Sequence, residues 1–359
     1  MAAISKVLSK PEIQWLSKEV RAANMLLSEF LKNLFTGFQV LILIVFTAWG
    51  VFAVYYGDSR TSWGQVSVAT AFGSLGLALL FGFIVSRWRI QWLLGYLMLF
   101  IGILIWWLGI VPSNDRIWRL DVARLPYATF NGDNVTLHNI RNFNYLSEFV
   151  YQPAYYTKSF DVTKLEGVDL FVFYWTGPAI AHTIMSFNFG EQGHLAVSIE
   201  TRNQLNEEYS TIKGFFRQYE LIYIVADERD VIRLRTNYRK NPPEQGFLYP
   251  LTGTKENGQR LLLEYLKKIN QLREKPEFYN TLLDNCTVAI WIRSWATSEN
   301  LPFSWKILLS GYLPEYLYES HLLEQRLPFT ELQQRAFINP AARVADQAPD
   351  FSNKVRARY

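Results

Sequence analysis

Hydrophobic and polar positions divide the chain sharply in two. Up to about Pro112 the residues are strongly apolar, and beyond it apolar and polar positions alternate over short distances. Three stretches hold no charged residue: Asn33 to Gly57, Thr61 to Ser86 and Ile90 to Asn114. Each exceeds the ~20 apolar residues that cross a ~30 Å hydrocarbon core, so each predicts a transmembrane helix. The first begins too late and runs too long for a secretory signal peptide. Lys6, Lys10, Lys18, Arg21 and Lys32 precede the first span, and Arg87 and Arg89 separate the second from the third. Only Asp58 and Arg60 lie between the first and second. The positive-inside rule then predicts a cytoplasmic N-terminus and places everything after Asn114 outside, with Trp106, Trp107 and Trp118 near the outer interface. Three parts follow: a cytoplasmic or interfacial segment (1–32), three transmembrane helices (33–114) and an outer domain (115–359). Within the first, Lys10 to Lys32 predicts an interfacial helix with Trp15, Leu16, Met25, Leu26 and Phe30 on one apolar side; a frayed tail is the alternative.

The outer domain opens with strand patterns. Asn131 to Asp133 is a turn signal between Tyr127–Phe130 and Val135–His138. Leu170 to Trp175 reads as a buried strand. His182–Phe189 and His194–Glu200, separated by Gly-Glu-Gln-Gly, read as a hairpin. Glu220–Ala226 and Val231–Arg235 read as two further strands. Leu261–Leu272 then has helical spacing, and a second helix is expected from Asp284–Asn285 through Trp295. Strands followed by helices predict an α+β domain.

Composition narrows the chemistry. The net charge of +4 is small, and basic residues after Asn114 are interleaved with acids, which argues against nucleic acid as a partner. A single cysteine, Cys286, forbids an intrachain disulfide. With four histidines (His138, His182, His194 and His321), no HExxH and no CxxC, neither a metal nor another cofactor is expected.

The hairpin carries a register argument. Thr183, Met185, Phe187 and Phe189 must share a face with Leu195, Val197 and Ile199, because a slip of one residue turns every side chain over. A three-residue loop at Gly190–Gln192 then sets His182 directly opposite Glu200, with His194 on the same face beside the turn. A carboxylate fixes the tautomer of an adjacent imidazole and stabilises the imidazolium. Cys286 follows the capping residues Asp284 and Asn285, in the first turn of a helix. There the helix dipole favours thiolate, and free backbone N–H groups would stabilise an oxyanion. The residues thus point to a Cys286–His182–Glu200 site for acyl transfer, with Asn285, Thr287 and His194 as supporting candidates. The bland alternatives are an inert cysteine and a surface ion pair.

Four runs carry a resemblance: HNIRNFNY (His138–Tyr145), AHTIMSFNFGEQGHLAVSIETR (Ala181–Arg202), GFFRQYELIYIVADERDVIRLRTNYR (Gly214–Arg239) and FYNTLLDNCT (Phe278–Thr287). Together with FSNKVR near the C-terminus, they resemble the periplasmic domain family named after an alternative bacterial lipoprotein N-acyltransferase, Lnb. The similarity extends from about Asp115 to the C-terminus. It implies a permuted papain-like (NlpC-like) thiol enzyme, in which histidine and its polar partner precede the cysteine. The family's histidine falls on His182, its acid on Glu200 and its cysteine on Cys286. Arg202 and Asp227–Glu228–Arg229 also match, as structural ion pairs first and headgroup contacts second. The resemblance implies an enzyme of the bacterial inner membrane with its catalytic domain in the periplasm. It would move an acyl chain from a membrane phospholipid to the N-terminal amine of a lipoprotein. A papain-like cell-wall peptidase or amidase, a lipase or thioesterase, and a non-catalytic envelope binding protein are the alternatives.

Overall fold

The computed structural model describes residues 10–57, 63–283, 285–294 and 301–357. The chain forms two compact units, Met1–Ile110 and Val111–Tyr359. Lys6, Asp58, Arg60, Thr61, Asp284 and Trp295, on which sequence expectations fell, lie outside the described residues.

The first unit consists of α1 (Lys10–Tyr56), α2 (Trp63–Val85) and α3 (Arg89–Leu108), each with a stretch long and apolar enough to cross a membrane. Small residues let these helices approach. The Trp92 ring occupies the place a Cβ on Gly82 would take, and the Phe72 ring does the same at Gly50. Tyr96 is buried, its hydroxyl 3.0 Å from Thr47 Oγ1 and 3.1 Å from the Leu43 carbonyl. Lys10–Lys32 is helical rather than a frayed tail, and it runs without a break into the rest of α1, whose 47 residues make a rod about 70 Å long. No glycine or proline interrupts the chain between Pro11 and Gly37. The third helix ends at Leu108 rather than near Asn114, because Gly109 closes it and Pro112 prevents its continuation.

The second unit is α+β. Its strands are β1 (Tyr127–Asn131), β2 (Asn134–Arg141), β3 (Asn144–Tyr145), β4 (Tyr151–Gln152), β5 (Tyr155–Asp161), β6 (Gly167–Tyr174), β7 (Ala181–Asn188), β8 (His194–Arg202), β9 (Glu220–Ala226) and β10 (Gln245–Pro250). Eight of them form one sheet in the order β1-β2-β9-β8-β7-β6-β10, with β5 also on β2, while β3 and β4 pair separately. All pairs are antiparallel except β2–β9. The helices are α4 (Glu228–Arg233), α5 (Lys255–Glu274), α6 (Cys286–Ser294), α7 (Trp305–Leu308), α8 (Leu313–Glu319), α9 (Phe329–Ala336), α10 (Asn339–Val344) and α11 (Phe351–Val355).

Both faces of the sheet are covered, which is why β6 and β9 read as continuous apolar runs. On one face Met185, Phe187, Val197 and Tyr223 pack with Leu262, Tyr265 and Ile269 of α5 and with α6. On the other, Ile184, Ala196, Ile222 and Ile224 pack with Val231 and Ile232 of α4 and with α10 and α11. The expected strand Val231–Arg235 is instead α4 followed by a π-helical turn, Leu234–Tyr238. Asp227 caps it by accepting from Arg229 N at 3.1 Å. Buried partners for Glu228 and Asp230 (Arg356 and Arg141) hold it against the sheet.

The segment after residue 110 is tied to this unit. Ser113 N donates to Glu220 Oε1 at 3.1 Å, and Arg116 bridges the same oxygen at 2.8 Å. Burial pushes the Glu220 carboxyl up to about 7 despite Arg116. A carboxyl raised in the folded state binds protons that the unfolded chain releases, so its contribution to stability falls as pH rises from about 4.5 to 7. Denaturant titrations should show wild type losing stability across that window relative to Glu220→Gln. The slope should be at most about 1.4 kcal/mol per pH unit, and parallel curves would reject the assignment.

Candidate active site

The site begins with the β7–β8 hairpin. Its ladder runs from Asn188↔His194 to Ile184↔Ser198. Continued two residues further, the same register sets His182 opposite Glu200. The turn closes over Gly190–Gln192 with Phe189 N donating to Gly193 O at 2.9 Å. Gly190 has φ +57°, and a Cβ there would strike the Glu166 carboxylate.

His182 and Glu200 meet through a residue that the sequence reading passed over. His182 Nε2 lies 2.7 Å from Ser198 Oγ, and Ser198 Oγ donates to Glu200 Oε1 at 2.7 Å. The direct Nε2–Oε1 distance is 3.6 Å. Because the serine gives its proton to the carboxylate, it accepts from Nε2–H, and the lone pair of the neutral imidazole is on Nδ1. Arg235 completes the group, 3.5 Å from Glu200 and 3.0 Å from Glu244.

This electrostatics differs from the expected imidazolium–carboxylate pair. Burial first, and the Arg235 guanidinium second, push His182 down to about 3, outweighing Glu200. Burial works to raise the Glu200 carboxyl, yet Arg235, with His182 and Arg141, holds it far below the ordinary range. Glu200 is therefore balanced by arginine, and the imidazole is neutral at physiological pH. Long-range ¹H–¹⁵N NMR of imidazole-labelled protein should show the Nε2–H tautomer persisting at pH 5, with Arg235→Gln moving the titration upward. An imidazolium at His182 just below pH 6.5 in wild type would contradict this account.

Cys286 opens α6, as expected from its capping residue. Asn285 Oδ1 accepts from Thr287 N at 3.0 Å and Val288 N at 2.8 Å. That cap corrects one expectation, because two first-turn N–H groups assigned to an oxyanion are already occupied by Asn285. Thr287 is fully buried, its hydroxyl 3.8 Å from the Cys286 sulfur. Cys286 itself is 7% exposed and belongs to the core cluster of Met185, Val197 and Ile199. Strand alternation puts His182 on the opposite face, with Ile184 and Arg235. No hydrogen bond joins Cys286 to His182 or Glu200 among the described residues.

The two halves nevertheless share one end of the sheet. Tyr279 N donates to Tyr219 O beside the start of β9, at the end where Glu200 leaves β8. Burial raises the Tyr279 phenol most, followed by the charges of Cys286 and Tyr209 and a hydrogen bond to Tyr209, and then Glu200. Thiol and carboxylate therefore act on the same phenol. Glu200 also forms part of the wall of a cavity of about 550 Å³, together with Arg119, Arg141, Glu148, Arg235 and Arg239.

Residues 151–311 match the family described as the Lnb N-terminal periplasmic domain. The family resemblance is thereby shown for a stretch that contains the hairpin, α4 and α6. It is shorter than the expected extent from Asp115 to the C-terminus. No curated protein and no solved structure gives a significant match.

The remaining candidates of this Lnb-like domain divide by their contacts. Arg202 is structural: it donates to the Val122 and Ala123 carbonyls and to Asn114, and lies 4.2 Å from the Trp118 ring centroid. Glu228 is also structural, bound to Ser186 and to Arg356 of the FSNKVR run, which in turn reaches Asp169. His194 sits at the other end of the hairpin from His182, its Nε2 buried without a hydrogen-bond partner among the described residues. Ser198 was accessible to the register argument, since it shares its face with His182. Arg235 was not, because its segment read as a strand.

Proposed function

We propose that the chain is a membrane-anchored, thiol-dependent acyltransferase of the bacterial inner membrane, with its N-terminus cytoplasmic and its second unit in the periplasm. Cys286 acts as nucleophile and His182 as general base, and Ser198 and Glu200 hold the imidazole Nε2–H. The observation that carries the reading is the His182–Ser198–Glu200 chain, which fixes the tautomer that leaves Nδ1 free to accept a proton. The Lnb family match and the three apolar helices agree with it.

In this mechanism Cys286 Sγ gives its proton to His182 Nδ1 and attacks an acyl carbonyl of a phospholipid. The ester C–O bond breaks, the lysolipid oxygen takes the proton, and a thioester remains. The α-amine of a lipoprotein N-terminus then attacks the thioester. The C–S bond breaks as the amide forms, and the amine proton returns through His182 to the thiolate. Proton transfer requires hydrogen-bond reach and a stronger base than the buried imidazole of this structure, so the mechanism requires a rearrangement that brings Sγ to Nδ1 and restores the basicity of His182. The polar cavity beside Glu200 would hold the substrate's polar group.

One observation favours a second reading. The packing of Cys286 in the core, across the sheet from the imidazole, fits a non-catalytic envelope binding protein in which the cysteine is a small apolar residue. The assay that separates the two uses the full chain in detergent with phospholipid and a diacylated lipopeptide. A gain of one acyl mass on the lipopeptide supports the transferase. No gain, with the protein folded and both substrates accessible, rejects it, and peptidoglycan fragments then test the peptidase alternative.

A further inference from the structure

The N-terminal half of α1 stands clear of α2 and α3. From Ala23 to Phe35 every side chain is exposed, and among the described residues of α1 the first buried one is Leu43. The 39 residues from Lys18 to Tyr56 make roughly 60 Å of helix, about twice a hydrocarbon core, whereas α2 and α3, with 23 and 20 residues, match that core. Asn24, Ser28, Glu29, Lys32 and Asn33 make the excess too polar for hydrocarbon. Yet the excess is not polar all round. Val20, Ala23, Leu27, Phe30 and Leu34 recur at alternating intervals of three and four, and Leu27, Phe30 and Leu34 are 56%, 63% and 61% exposed. In the sequence the same spacing starts at Ile13 and Leu16, so three heptads carry it.

We propose that this face is the seam of a parallel two-stranded coiled coil formed with α1 of a second copy of the chain. Two copies anchored in one bilayer present these rods in the same direction and at the same height, which supplies both the parallel order and the register. Charge agrees with that pairing. Lys18, Arg21 and Lys32 all fall on the side away from the seam. The residues that flank it and meet across a parallel pair are Glu19 with Asn24 and Leu26 with Leu31, so no like charges face each other. Gly37 continues the seam, and nothing in the chain lies within 4 Å of the place its Cβ would take, which leaves room for a second backbone. The surface of the bilayer is the other way to cover such a face. It requires a sharp turn where the helix enters the membrane, and α1 stays α-helical through Gly37 with no proline after Pro11. The seam is independent of the acyl-transfer reading, and its test does not use activity.

The full chain is reconstituted in phospholipid vesicles in a Cys286→Ser background, with single cysteines at Val20→Cys, Leu27→Cys, Ser28→Cys or Lys32→Cys, and oxidised with copper phenanthroline. Positions 20 and 27 should give disulfide-linked dimers that persist as lipid is added in excess, while 28 and 32, on the outer side, stay monomeric. Without oxidation, light scattering in mild detergent should find two chains per particle. Leu27→Lys, at a position exposed in the single chain, should halve that number, and Lys32→Ala should leave it unchanged. Equal linking at all four positions, or linking that fades with added lipid, marks random collision and overturns the proposal. So does one chain per particle with positions 20 and 27 unlinked. A fluorophore at those positions that spin-labelled lipid quenches would then assign the face to the bilayer surface, and one that stays in water would assign it to a different protein.

Discussion

Cys286→Ser will reduce lipopeptide acylation to background, and His182→Ala will lower it by about 10²–10⁴-fold, the usual contribution of a positioned base. Combining the two should cost no more than Cys286→Ser alone, because groups acting in one step are not additive. Ser198→Ala should be milder than His182→Ala, since it removes the link that orients the ring while leaving Nδ1 in place. Mass spectrometry of lipopeptide after a fixed incubation reads all four variants. It should also trap an acyl-thioester on Cys286 when the acceptor is omitted. The informative failure is a fully active Cys286→Ser. It would mean that the packing of this thiol among Met185, Val197 and Ile199 is its whole role, and the second reading would replace the first.

Asp230→Ala will destabilise the second unit by about 3–5 kcal/mol, the cost of leaving a buried charge unpaired. Asp230 is fully buried and accepts from Arg141 Nε at 3.0 Å, a terminal Arg141 nitrogen at 2.8 Å, Phe143 N at 2.7 Å and Tyr145 Oη at 3.0 Å. Burial opposes the Arg141 charge, while Asp230 and Tyr145 retain it. Removing the carboxylate strands a guanidinium only 4% exposed. For a unit of this size the loss corresponds to a fall of roughly 6–20 °C in Tm, read by near-UV circular dichroism of the full chain in detergent. Replacing both partners, Arg141→Met with Asp230→Leu, should recover much of the loss. A shift of a degree or less in the single variant would show that water reaches Arg141 and would remove this pair from the account of stability.

Much of the architecture was legible because it rests on local physics. Charge-free stretches longer than ~20 residues have few outcomes other than long apolar helices. Asn131–Asp133 has the turn chemistry of a hairpin, and β1 and β2 follow it. The β7–β8 register was legible for the same reason: period-two alternation leaves one pairing that buries both apolar sets. The N-cap at Asn285 was legible from residue type alone. Local signals also misled. Val231–Arg235 looks like a strand because β-branched Val231 and Ile232 open a run in which arginine and leucine alternate, but buried partners distant in sequence, Arg141 and Arg356, make a helix the better solution there.

What the sequence by itself determined is therefore the division into an apolar helical part and an α+β part, the hairpin register, and the pairing of His182 with Glu200 across it. Tertiary structure decided the rest. It buried His182 and set Arg235 against Glu200, and burial first and the guanidinium second turn an expected imidazolium into a neutral imidazole. It also decided which face of the sheet α6 covers. The apolar set that fixes the hairpin register is the surface on which an apolar helix packs. The alternation that joins His182 to Glu200 therefore carries both away from Cys286. Register is a property of neighbouring strands and can be read along the chain. The side of a sheet on which a distant helix lands depends on how all the apolar faces are buried together.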